Sequence, residues 1–73
     1  MFNWDALSKT FSNYLTAIIV TDTKEFLKYR NIKNNKKAVT EFLKFALTKN
    51  ALYINFYDKS TKKFLLRVVN DLI

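Results

Sequence analysis

The stretch ALYINFYDKSTKKFLLRVV, residues 51–69, decides the fold class. Leu52, Ile54 and Phe56 alternate with Tyr53, Asn55 and Tyr57, and past the polar turn Asp58–Lys62 the residues Phe64, Leu66 and Val68 alternate with Leu65, Arg67 and Val69. Successive side chains of a strand point to opposite faces, so two period-two runs joined by a short polar loop predict a β-hairpin over 51–57 and 63–69.

Upstream the period lengthens. Ala38, Val39, Phe42, Leu43 and Ala46 recur at helical spacing, which predicts a helix over 36–49 with Asn35 as its cap and Asn50 as its end. Asp22 followed by Glu25 reads as an acidic capping pair, opening a helix over 23–31 that buries Phe26 and Leu27, with Lys33-Asn34-Asn35 as the next turn. Trp4, Leu7, Phe11, Tyr14, Leu15 and Ile18 also fall at spacings of three and four. Two readings fit them: one helix over 3–20, or a helix over 3–13 followed by a short strand over 14–21, where β-branched residues gather. The chain has no Gly and no Pro, so its turns must use Asn, the next most tolerant residue at positive φ. Asn31, Asn34, Asn35, Asn50 and Asn70 stand where the hydrophobic period changes.

Seventy-three residues make one domain, 1–73, and a domain this small buries only about 60% of the surface its unfolded chain exposes. With no Cys and no His, neither a disulfide nor a zinc site can staple it. Stability must come from the core, and 49% of the residues are hydrophobic, with seven Phe, four Tyr and one Trp. The longest early apolar run, Ala17–Val20, is far short of the ~20 residues of a membrane span, and no basic leader precedes it. A cytoplasmic protein is expected.

Catalysis is not expected. There is no His to act as a base at neutral pH, no Cys nucleophile and no Gly-rich phosphate loop. The carboxylates Asp5, Asp22, Glu25, Glu41, Asp58 and Asp71 are scattered, mostly at expected helix starts and turns. No cofactor, metal or small-molecule substrate is implied.

Binding is expected instead, from a net charge of +7 and a pI near 9.8. Eleven of the thirteen basic residues are Lys, and the chain is rich in Asn, Ile, Phe and Tyr, a pattern that an AT-rich genome also produces. Three places stand out. The outward face of helix 36–49 carries Lys36, Lys37, Thr40 and Lys44, and residues 24–49 hold eight basic side chains against two acidic ones. There Lys36 and Lys37 would meet phosphates while Asn35 and Thr40 approach base edges, with Lys44 on the same face, although the same pattern describes a solvated helix face. The hairpin tip groups Lys59, Lys62 and Lys63 with Ser60 and Thr61, either as a basic wing or as an ordinary polar turn. The second hairpin face presents Tyr53, Tyr57, Leu65 and Val69, to be covered by the N-terminal segment, a second copy or a partner.

Helix, a strand on one of the two readings, helix, short turn, helix and hairpin is the order of elements in a winged-helix domain, and residues 22–69 resemble that architecture, without the Gly often found between its helices. The expected class is therefore α+β, three helices followed by a C-terminal β-hairpin, winged-helix-like. The resemblance would put helix 36–49 in the major groove of duplex DNA. The expected function is a small DNA-binding regulator of a phage or mobile element, acting as a homodimer on palindromic half-sites. The alternative is an inhibitor or adaptor docking on a host protein through Tyr53, Tyr57, Leu65 and Val69. A membrane-surface role is disfavoured, since the first helix offers only Lys9 as a cation beside Trp4 and Phe11.

Overall fold

The β-branched cluster after Asn13 makes a strand. In the computed structural model, which describes residues 13–72, Tyr14–Thr21 is strand β1, and its alternate residues Leu15, Ala17 and Ile19 are fully buried. Strand β2 (Phe26–Lys33), helix α1 (Lys36–Thr48), strand β3 (Ala51–Asp58) and strand β4 (Phe64–Val69) follow, and a single 3-10 turn, Asn70–Leu72, comes last. The four strands form one sheet in the order β2-β1-β3-β4, with every neighbouring pair antiparallel. β2 and β3 both oppose β1, so they run parallel to each other, and α1 is the crossover that carries the chain over β1 from one to the other.

This overturns the winged-helix-like expectation of three helices and a hairpin. Among the described residues there are four strands and one helix of the α type. The alternative of a single helix over 3–20 falls with β1; a helix over 3–13 lies outside the described residues. The helix expected over 23–31 is strand β2, and the supposed capping pair is a hairpin turn. Thr21 closes that turn: its N–H donates to the Glu25 carbonyl (3.0 Å), its carbonyl accepts from Lys24 N–H (2.9 Å), and its Oγ1 accepts from Glu25 N–H (3.0 Å). Asp22 and Glu25 therefore flank a reversal rather than a helix start.

The strand signal in β2 was broken by a bulge. Leu27 pairs with Ile19 and Tyr29 with Ala17, but the next partner, Ile32, faces Leu15, so Arg30 and Asn31 together oppose Thr16. Asn31 takes φ 64, the left-handed conformation that lets an extra residue bulge out. The apolar positions Leu27, Tyr29 and Ile32 thus share a face at uneven spacing, which no period-two pattern captures.

Helix α1 forms where its spacing predicts. The Asn35 side chain accepts a hydrogen bond from Ala38 N–H at 2.8 Å, capping the first turn, and Asn50 at φ 58 turns the chain into β3. Val39, Leu43 and Ala46 are buried against Leu15, Ala17, Ile19, Ile54, Phe56 and Val68 of the sheet. Tyr29, Phe42, Phe45 and Phe56 interlock at this boundary, with ring centroids 5.4–6.0 Å apart. No helix among the described residues is long and apolar enough to cross a membrane.

Among the described residues, two of the four at positive φ are Lys24 and Lys62, where a Gly-free chain must force a Cβ into the left-handed region. Replacing Lys24 with Gly should raise stability by about 0.5–1 kcal/mol, the relieved strain exceeding the added unfolded-state entropy. Phe56→Ala should cost about 3–5 kcal/mol, against a total of about 4–11 kcal/mol for a chain this long. Chemical denaturation of both variants checks these values; a Lys24→Gly variant less stable than the parent would contradict the turn geometry.

Candidate nucleic-acid interface on the open sheet face

Helix α1 covers the side of the sheet that carries Leu15, Ala17 and Ile19. The alternate residues face the other way, and among the described residues no helix lies over them. Strand register sets their arrangement. Lys28 of β2, Ile18 of β1, Asn55 of β3 and Arg67 of β4 are successive ladder partners and form one row across the face. Phe26, Val20, Tyr53 and Val69 form the row beside it. Thr16, Tyr57 and Phe64 form the row on the other side, with Arg30 at the bulge next to Thr16. Strands lie about 4.8 Å apart and alternate residues about 6.8 Å apart, so the rows span roughly 14 Å from β2 to β4.

A sheet face that merely meets water is expected to be polar. This one is not. Phe26 is 70% and Phe64 55% exposed, Val69 is exposed, and Tyr53 and Tyr57 are half-buried. Tyr57 and Phe64 meet edge to face at 5.7 Å. Cations are set among these rings. The Arg67 guanidinium sits over the Tyr53 ring, 4.3 Å from its centroid, and its Nε donates to Asn55 Oδ1 at 2.9 Å. Lys59 reaches over the Tyr14 ring at 5.5 Å and donates to Asn31 Oδ1.

At the end of the face near the β3–β4 turn lies a hollow of about 470 Å³, lined by Thr16, Ile18, Lys28, Arg30, Tyr57, Asp58, Lys59 and Lys62. Four of these side chains are cations and one is a carboxylate. That carboxylate is committed to the turn: Asp58 Oδ1 accepts from the N–H groups of Ser60 (2.8 Å) and Thr61 (3.2 Å). Positive charge converging in a concave site is a receptor for anions.

The residues singled out in the sequence are divided by this architecture. Lys36, Lys37 and Lys44 are exposed on α1, Thr40 is half-buried there, and Asn35 spends its side-chain oxygen on the helix cap. They occupy the opposite layer from the hollow. Lys59 and Lys62 line the hollow, and Lys63 is exposed at the same turn. Tyr53, Tyr57 and Val69 share the open face, but Leu65 does not. The register slips between Phe56 and Tyr57, so Leu66 pairs with Phe56 and Phe64 with Tyr57; Leu65 packs toward the core and Phe64 takes its place outside. Lys28, Arg30 and Phe26 escape the sequence reading because it makes β2 a helix; Arg67, on β4, stands on the expected hairpin face but is not among the expected binding residues. The alternation of Phe26, Lys28 and Arg30 with Leu27 and Tyr29 was the available signal.

Comparison with protein-family models, with curated proteins and with solved structures found no match for this chain.

Cations gathered in one hollow repel each other, and a bound polyanion relieves that repulsion and stabilises the fold. At constant ionic strength, millimolar pyrophosphate should raise the melting temperature. The Lys28→Gln/Lys62→Gln variant should lose that rise, and Lys36→Gln/Lys37→Gln should keep it. Equal loss in both variants would show a diffuse charge effect rather than a site.

Proposed function

We propose that this chain is a nucleic-acid-binding protein that holds a single strand across its open sheet face. The observation that carries the reading is the placement of aromatic rings and cations on the face that no described helix covers, with the cations of β2 and the β3–β4 turn grouped beside the rings of β3 and β4. Phosphates would lie along Lys28, Arg30, Lys59 and Lys62, while bases stack on Tyr57, Phe64 and Tyr53. Such a pairing suits single strands, whose unpaired bases offer π-faces to aromatic side chains while a basic groove follows the backbone. Duplex DNA hides those faces, and a flat sheet of this width does not enter a groove as a helix does. The proposal keeps nucleic acid as the partner expected from charge, and moves its site from the helix to the sheet.

The alternative of a protein partner docking on the same face has less support. The face carries three lysines, Lys28, Lys59 and Lys62, whereas protein interfaces are depleted of Lys.

Fluorescence anisotropy with labelled twelve-nucleotide single strands and the matching duplex tests the proposal. Single strands should bind more tightly than duplex, with an affinity that falls steeply with salt as neutralised phosphates release counterions. Tyr57→Ala should weaken binding by about 1–3 kcal/mol through lost stacking. Lys28→Gln with Arg30→Gln should weaken all sequences alike and flatten the salt slope, while Lys36→Gln with Lys37→Gln should change little. A preference for duplex, or sensitivity confined to Lys36 and Lys37, would return the site to the helix. Absence of binding to either form would overturn the proposal.

A further inference from the structure

Phe26 and Phe64 are, among the described residues, the two most exposed large apolar side chains, and Val69 is exposed in the row of Phe26. Contiguous exposed apolar surface of this kind marks a docking site. The proposed strand path uses Phe64 but gives Phe26 and Val69 no role. They stand in the Val20 row, at the end of the face away from the hollow and its cations.

The chain carries an occupant for these rows. Twelve residues, MFNWDALSKTFS, precede the described ones. Phe2, Trp4, Leu7 and Phe11 make them apolar, and the side-chain charges of Asp5 and Lys9 cancel, so they add no repulsion to a basic face. They join at Asn13, whose carbonyl accepts from Asn34 N–H at 3.0 Å, and the carbonyl of Tyr14 accepts from Lys59 N–H at 3.4 Å. Those bonds fix the point of entry at the hollow end of the central strand, two residues before Thr16 of the Tyr57–Phe64 row. From Tyr14 to the Val20 row is about 20 Å along β1. Twelve residues span about 18 Å even as a helix and more when extended, so the segment reaches across the face in either form. Leu47 of α1, exposed on the other layer, lies at the far end of the sheet, near Thr21 and Asp22. Tethering also supplies an effective concentration on the order of millimolar, which a second copy does not match in dilute solution.

We infer that residues 2–11 of this chain dock on the Tyr57–Phe64 and Phe26–Val69 rows of the open face and compete there with the nucleic-acid strand. The competition rests on the proposed single-strand site; the docking does not. While the segment is in place, the apparent affinity for a strand is reduced by the fraction of molecules whose face is free.

Trp4 is the single Trp of the chain and lies in the segment, so its fluorescence reads the docking. In the intact chain its emission should lie to the blue of the denatured chain and resist quenching by acrylamide. Phe26→Ser with Phe64→Ser should move the emission to the red and admit the quencher, whereas Leu47→Ser should do neither. A twelve-nucleotide thymine strand should open Trp4 to acrylamide, and Leu7→Ser with Phe11→Ser should tighten strand binding about fivefold or more. Circular dichroism checks that each variant keeps its sheet.

A Trp4 as open to acrylamide in the intact chain as in the denatured one would overturn the inference. So would a response to Leu47→Ser without one to the face variants. Shielding that is lost on dilution would assign the segment to a second copy and overturn docking within the chain. A strand that binds while Trp4 stays shielded would overturn the competition. If no strand binds either the intact chain or the Leu7→Ser/Phe11→Ser variant, the single-strand site fails, and the Trp4 measurements decide the docking by themselves.

Discussion

Among the described residues one thirteen-residue helix packs on a sheet of four strands, and it covers one face. The helix packs against β2 and β3 on either side of β1, and the fully buried Leu15, Ala17 and Ile19 of β1 share one core with its Val39, Leu43 and Ala46 and with Ile54, Phe56 and Val68. The remaining architecture follows from that contact. Because the helix crosses over β1, β2 and β3 must lie on either side of it, and β4 can then pair only at the far edge of β3. Among the described residues no helix lies over the second face of the sheet, and what the chain places there is its most informative choice.

That choice separates two populations of charge. Lys36, Lys37 and Lys44 stand on a solvated helix, where they need no partner. Lys28, Arg30, Lys59 and Lys62 converge at a hollow, and Arg67 is clamped on an aromatic ring. Holding like charges together costs Coulomb energy, while dispersing them on the surface does not. Pinning Arg67 against Tyr53 and Asn55 also costs side-chain entropy. A chain whose basicity came only from base composition would have no reason to concentrate these costs beside exposed phenyl and phenol rings.

The parts of the structure legible in the sequence are those with unbroken periods. The alternation across residues 51–69 falls on β3 and β4, and the three-four spacing of Val39, Phe42, Leu43 and Ala46 falls on α1. β2 was not legible, because Asn31 inserts a bulge that moves Ile32 back to the face of Leu27 and Tyr29. Its turn was misread for a related reason: Asp22 and Glu25 suit a helix start chemically, and only the pairing of β1 with β2 shows that Thr21 makes the turn's hydrogen bonds. The site was half legible. Tyr53, Tyr57, Lys59 and Lys62 could be named, but Lys28, Arg30 and Arg67 join them only once the register is known. Leu65 and Phe64 exchanged roles through a one-residue slip, which reverses the face of every side chain it passes.

In the proposed mode of binding, the sheet face opposite the helix, and not the helix itself, meets nucleic acid. Nuclear magnetic resonance of the labelled protein titrated with a short thymine-rich strand tests it most directly. The account predicts upfield ring shifts at Tyr53, Tyr57 and Phe64 from stacked bases, with side-chain shifts at Ile18, Lys28 and Arg67, and little change along Lys36–Thr48. Shifts concentrated at Lys36, Lys37 and Lys44, with the rings of the open face unmoved, would contradict it.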